Sequence, residues 1–284
     1  MLRKAIVFGV ALLALGSAQA KAGDTLVYVA DWTDQLGYVD LTTKATTLVG
    51  TMKYNGNNIL FGDIGFSGGT LYGTSFPGAS PNLYSINTST GVASLVGALT
   101  GNAVGTVAAI VGDGSSLLIG YAYSDSIIQI DPNNLAAGGT LYATAKAPSS
   151  GDLAFLNGNL YGLITYDTGA NNYIEDITTG TVFSHDYLGG YGLASDGTNL
   201  YVSNGTGAGS SLYTVDTTTG DPTLFTSIGG GLTLTYGLAV LGEGPTNGQQ
   251  NPPGNNVPEP ASMAIFAGAV AMLGARRLFG SRLT

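Results

Sequence analysis

Carboxylates are the reactive groups this chain offers in number. It has 18 Asp and Glu residues against one His and no Cys. Thiol nucleophiles, zinc–thiolate sites, iron–sulfur clusters and His-rich metal centres are therefore excluded. Paired carboxylates can cleave glycosidic bonds, at separations of about 5–5.5 or 6.5–9.5 Å. Gathered with other oxygens they can hold Ca²⁺. Beside Trp or Tyr they can form a sugar site, because an aromatic ring offers an apolar plane with a polar tip. The residues that suit these roles are Asp31, Trp32, Asp34, Asp63, Tyr123, Asp125, Asp152, Tyr166 and Asp167. Asp63 and Asp152 begin two similar apolar segments, Asp63-Ile-Gly-Phe66 and Asp152-Leu-Ala-Phe155. They are the one pair placed to act as a hydrolase dyad or to contribute to a calcium site. His185 has no nucleophile motif beside it, so no triad is assigned.

A repeat positions these residues. Five segments align on an Asp or Asn that closes a strand-like run: Asp40, Asn87, Asp131, Asp176 and Asp216, spaced 47, 44, 45 and 40 residues apart. That is the period of a four-stranded propeller blade. Each repeat supplies short runs of Val, Ile, Leu, Tyr and Thr broken by Gly and Asn, which are strand signals. The aligned Asp and Asn residues read as turn formers that bond their own backbone two residues on, ahead of Gly at positive φ. Asp113 and Asp196 read as turn residues as well. The chain enters the pattern at a second strand, Leu26, and leaves after a first strand, Tyr236–Leu241. Pairing that last strand with the opening three closes the ring and covers its edges. The expectation is an all-β fold, a five-bladed β-propeller over residues 24–241. Its motif style loosely resembles the YVTN/NHL-like secreted propellers, and no activity follows from that.

On this fold the turns between second and third strands share one face with the starts of the inner strands. The candidate ligand residues above are expected there. Glu175 breaks the repeat: it occupies the column of Val39, Ile86, Ile130 and Val215, so a locally shifted strand is expected to turn it outward.

Composition agrees with this architecture. Gly is 45 of 284 residues, hydrophobic residues are 44% and charged residues 10%, a profile of many strands and tight turns rather than of a disordered acidic chain. Every Arg lies within ten residues of a chain end, and between Lys21 and Asn256 four Lys face 17 acidic residues, a net of −13. Phosphate backbones would be repelled, which excludes nucleic-acid binding.

The ends read as addresses. Met1-Leu-Arg-Lys4, the apolar run Ala5–Leu15 and the small residues Ala18 and Ala20 form a secretory signal peptide over residues 1–20, cut after Ala20. Residues 242–256, rich in Gly, Pro, Asn and Gln, read as a flexible linker. Val257-Pro258-Glu259-Pro260 follows, then an apolar helix over about 261–279 and a basic tail with Arg276 and Arg277. That helix is short, but it can span a bilayer if its arginines snorkel, with the basic end cytoplasmic.

The order Val-Pro-Glu-Pro, apolar helix, basic tail over residues 257–284 resembles the PEP-CTERM sorting signal. The resemblance implies export in a Gram-negative bacterium that makes exopolysaccharide. It also implies recognition by an exosortase and processing near Pro258-Glu259-Pro260. The expected partners are signal peptidase and exosortase, with exopolysaccharide as a further candidate and the membrane engaged through the C-terminal helix before processing. The precursor would face the periplasm while anchored, and the product would reach the cell surface or extracellular matrix. The reading is a non-catalytic envelope or matrix protein with no cofactor. A carbohydrate- or calcium-binding propeller is the first alternative and a glycoside hydrolase or lyase the second.

Overall fold

The computed structural model describes residues 25–245, except 77, 79, 167–170, 184–186, 188 and 207–208. The signal-peptide residues Ala18 and Ala20 lie outside the described residues. So do the sorting-signal residues Val257, Pro258, Glu259, Pro260, Arg276 and Arg277, the helix expected over 261–279, and Asp167 and His185. No helix among the described residues is long and apolar enough to cross a membrane.

The first three strands are β1 (Leu26–Asp31), β2 (Gln35–Asp40) and β3 (Thr46–Thr51), followed by a short hairpin of β4 (Lys53–Tyr54) and β5 (Asn57–Asn58). The second sheet holds β6 (Phe61–Ser67), β7 (Thr70–Ser75), β8 (Asn82–Ile86) and β9 (Ala93–Ala98). The third holds β10 (Val107–Asp113), β11 (Ser116–Tyr121), β12 (Ser124–Ile130) and β13 (Thr140–Thr144). The fourth holds β14 (Ser149–Leu156), β15 (Asn159–Thr165), β16 (Asn172–Asp176) and β17 (Thr181–Val182). The fifth holds β18 (Gly190–Ser195), β19 (Leu200–Thr206), β20 (Gly209–Val215) and β21 (Pro222–Ile228). The last strand, β22 (Thr235–Val240), joins the first sheet in the order β22-β1-β2-β3. All neighbours within a sheet are antiparallel. The result is a five-bladed β-propeller in which β22 pairs with β1, Val27 opposite Val240 and Val29 opposite Leu238, so both ends of the fold share one blade.

Alternation along the strands places one apolar cluster in each of the five gaps between blades. Leu36, Phe61 and Ile64 fill the first gap, Leu83, Ile110 and Ile119 the second, and Leu118, Leu153 and Phe155 the third. Leu163, Ile174 and Leu193 fill the fourth, and Val29, Leu212 and Leu238 close the circle. The core is thus a ring of interfaces. Five blades converge tightly, and glycine makes this possible on the inner strands: a Cβ on Gly62 would lie 2.6 Å from the Val107 carbonyl oxygen.

Turn chemistry follows the repeat. The Oδ1 atoms of Asp40, Asn87, Asp131 and Asp216 accept the backbone N–H two residues on, at 2.7–2.9 Å, and Asp176 accepts that of Thr179. Gly91, Gly180 and Gly220 complete three of these turns at φ 74°, 71° and 82°.

Glu175 departs from expectation. β16 keeps regular register with β15, Gly162 opposite Glu175, so no shift turns the side chain outward. It is 1% exposed. The backbone N–H of Lys146, from the connection between the third and fourth blades, donates to Glu175 Oε2 at 2.8 Å. Burial pushes the carboxyl's pKa up, against that hydrogen bond and the Lys146 charge. A buried acceptor with a backbone partner is tolerated in an aliphatic column.

Candidate functional site: the channel and its aromatic mouth

The inner strand of each blade is a sheet edge, so every second N–H points into the central channel and needs an acceptor. At one level these donors are Ile64, Ile110, Leu153, Leu193 and Leu238, and two carboxylates take all five. Asp63 Oδ1 accepts from Ile64 at 2.8 Å and its Oδ2 from Ile110 at 2.7 Å. Asp152 Oδ1 accepts from Leu153 at 2.7 Å, and its Oδ2 from Leu193 and Leu238 at 3.0 Å each. The equivalent positions on the other three inner strands are Ala109, Gly192 and Gly237. A Cβ on Gly237 would collide with Asp63 Oδ1, so the small residues are what admit the two acids.

Both aspartates are fully buried and hydrogen-bonded to each other. Burial and mutual repulsion raise the Asp63 pKa well above the usual carboxyl range. Burial raises that of Asp152 to about 8, with three backbone N–H groups pulling it back down. Their mutual hydrogen bond requires that one of the two carry a proton.

Two residues further along the strands, Glu243 repeats the device. Its Oε1 accepts the N–H of Phe155 at 3.2 Å and of Ser195 at 3.0 Å. Burial, then the Asp152 charge, raise its pKa well above normal. Sequence reasoning assigned Glu243 to the linker, so its role in the channel was missed. The usable signal was the scarcity of Glu: Glu175 and Glu243 are the only ones before residue 259.

These placements change the roles read from sequence. Asp63 and Asp152 lie within their strands rather than at a surface mouth. Every carboxylate oxygen faces an N–H donor, which is the wrong polarity for an oxygen cage around Ca²⁺. Among the described residues there is no group of three or more His, Cys, Asp or Glu placed to hold a metal. Asp31 is buried too: Thr33 and Gln35 donate backbone N–H to its Oδ1, and Thr233 to its Oδ2. Asp34 is a half-buried turn residue at φ 62°, and Asp125 is exposed at the start of β12. The acids therefore do not converge on one surface.

The aromatic residues do converge. The turns after the second strands of the first four blades bring Trp32, Phe76, Tyr123 and Tyr166 to the mouth of the channel, and Tyr191 and Tyr236 rise from the inner strands of the fifth and first blades. Trp32 stacks on Tyr236 at 4.5 Å and 22°, and Tyr236 on Tyr191 at 5.1 Å and 11°, while Phe76 meets Trp32 edge-on at 6.0 Å. Opposite this ladder the inner strands carry Gly62, Ala108 and Gly151, one residue above the buried carboxylate level. The difference in size opens a cavity of about 540 Å³, walled by Phe76, Tyr123, Tyr166, Tyr191 and Tyr236 and floored by these small residues. Tyr123 is 83% and Tyr166 58% exposed. Pockets of a few hundred Å³ with aromatic walls and few polar groups are the usual form of small-ligand sites.

No protein-family profile matches the chain, and no curated protein matches it. Solved structures match the chain at low identity. TolB from Acinetobacter baumannii is 15% identical with a TM-score of 0.42, the match covering 72% of this chain and 53% of that one. A chain of a nidogen/laminin complex is 14% identical with a TM-score of 0.44, covering 77% and 81%. The PQQ-bound aldose sugar dehydrogenase from Streptomyces coelicolor is 14% identical with a TM-score of 0.43, covering 72% and 78%. The chain thus spans about half the length of the TolB it matches. Likeness of this extent carries nothing about activity.

Proposed function

We propose that the protein is an exported, non-catalytic component of the cell envelope or extracellular matrix, whose propeller binds carbohydrate at its aromatic mouth. The observation that carries the binding role is the cavity itself. It sits on the channel axis, has aromatic walls from all five blades, and leaves Tyr123 and Tyr166 largely uncovered. Aromatic planes with polar tips suit sugar rings. The non-catalytic reading is supported by the carboxylates. The acids that the hydrolase alternative would need lie beneath the floor and are occupied with backbone N–H groups, so they do not flank a bond in the cavity. Export by signal peptidase and sorting by an exosortase-type enzyme complete the proposal, on the strength of residues 1–20 and 257–284.

The single Trp of the chain, Trp32, belongs to the ladder at the mouth, so its emission reports on the site directly. Titration with a panel of oligosaccharides is expected to change that emission saturably, and Tyr123→Ala to weaken the response. A flat response across neutral and acidic glycans alike would overturn the binding role. Release of reducing sugar from any of them would overturn the non-catalytic one. Mass spectrometry of both termini of the exported product tests the addresses: cuts after Ala20 and near Glu259 are expected.

A further inference from the structure

We infer that the mouth selects uncharged glycans and discriminates against acidic ones such as uronate polymers. The inference rests on the carbohydrate-binding reading above and concerns the ligand's charge. An acidic sugar needs a cation or an array of donors when it leaves water. The described chain contains no Arg and three Lys, and each Lys is elsewhere. Lys44 Nζ donates to the Phe225 carbonyl at 3.2 Å and covers the Phe225 ring. Lys53 belongs to the β4–β5 hairpin, and the Lys146 stem runs past Gly180 at the fourth blade's outer turn. None lines the cavity. Among the described residues the turns after second strands carry or adjoin acids, Asp34 two residues after Trp32 and Asp125 two residues after Tyr123.

The polar atoms that do line the cavity are neutral. Ser149 Oγ is committed to the Gly151 and Leu163 carbonyls. Ser150 Oγ is buried without a hydrogen-bond partner. Asn172 donates its Nδ2 to the Gly190 carbonyl at 2.7 Å, so the polar atom left on its side chain is the Oδ1 acceptor. Tyr236 has its pKa pushed up to about 12 by burial and stays a neutral phenol. A sugar hydroxyl can give its proton to Asn172 Oδ1 and exchange a bond with Ser150 Oγ; a carboxylate can do only the second. Tyr236 is stacked by Trp32 and by Tyr191, so the uncovered rings for a sugar's C–H face are Tyr123 and Tyr166.

The test compares neutral gluco-, galacto- and manno-oligosaccharides with oligogalacturonate and oligomannuronate. Binding is read by Trp32 emission and calorimetry at low and at 0.5 M salt. At least one neutral oligosaccharide is expected to bind, with the uronates roughly tenfold or more weaker at low salt and gaining as salt screens repulsion from Asp34 and Asp125. Tyr123→Ala and Tyr166→Ala, at exposed positions that leave the fold intact, should each weaken neutral binding by roughly tenfold. Uronate binding equal to or tighter than neutral binding would overturn the inference and leave the carbohydrate reading standing. Neutral binding that survives both Tyr substitutions would overturn the inference and the mouth as the binding site together. Failure of every glycan would instead remove the reading beneath it.

Discussion

Asp63 and Asp152 show how one side-chain type reverses its meaning with depth. At a surface, two acids on equivalent strands suggest a catalytic dyad; at the centre of a narrow propeller they are hydrogen-bond acceptors for five strand edges. Asp152→Ala leaves the N–H groups of Leu153, Leu193 and Leu238 without their acceptor. It should cost roughly 3–5 kcal/mol in chemical denaturation, since each unsatisfied buried donor costs about 1–3 kcal/mol. Asp63→Asn can still donate to Asp152 but leaves one of the Ile64 and Ile110 N–H groups without its acceptor, so it should cost about 1–3 kcal/mol. The same pair sets a pH dependence. Asp152 titrates near 8 in the folded state against 3.8 for the free group, so the native state holds more protons across that window. Its contribution is complete below the free value and is lost as pH rises through about 8. Asp40 and Asp216, lowered by backbone hydrogen bonds at exposed turns, work the other way and lose their contribution as pH falls through their depressed values. The melting temperature should therefore fall as pH rises from about 5 to 8, and Asp152→Asn should flatten that slope while lowering the starting point. At this scale the sequence singled out Asp63 and Asp152 through their place in the repeat, but for a ligand-facing role rather than as acceptors for strand edges. It could not convey that neighbouring blades contribute only Ala109, Gly192 and Gly237 there, and that this shortage of side chains draws the acids inward.

Strands were the most legible elements, because period-two alternation and turn-forming Asp or Asn recur in every repeat. The pairing of β22 with β1 follows from counting, since a last strand without a partner would leave an open edge. The β4–β5 hairpin and the two short 3₁₀ turns at Gly101–Ala103 and Leu135–Ala137 were not anticipated, being too brief to show a period. The inner strands carry the tightest requirement. Gly62→Ala, whose Cβ would approach the Val107 carbonyl oxygen to 2.6 Å, should destabilise by roughly 1–3 kcal/mol in thermal or urea unfolding. Gly229→Ala, with open space around the new methyl and no positive φ, should stay within about 0.5 kcal/mol of the parent. The contrast assigns the high glycine content to blade convergence in one case and to a permissive loop in the other.

For the molecule as a whole, cohesion is circular: five apolar interfaces in series, a closing strand pair and an axis of shared carboxylates. A chain ending at Pro245 retains Glu243 on Phe155 and Ser195, whereas one ending at Leu241 loses both bonds. The shorter chain should melt several degrees lower, and a chain ending at Thr233, without β22, should lose cooperative unfolding. Differential scanning calorimetry distinguishes the three. The sequence made the ring legible but placed its end two residues early, because Gly-Glu-Gly-Pro reads as spacer wherever it stands. The direction in which the chain enters and leaves has its own consequence. Leu26 lies opposite Asp40 and Val240 opposite Val27, so both described ends emerge on the side of the Asp-led turns, across the thickness of the wheel from the tyrosine-lined cup. Holding the protein by a handle fused after Pro245 should leave the cup open to bulk solution, and beads loaded that way should capture as much ligand per molecule as the free protein binds.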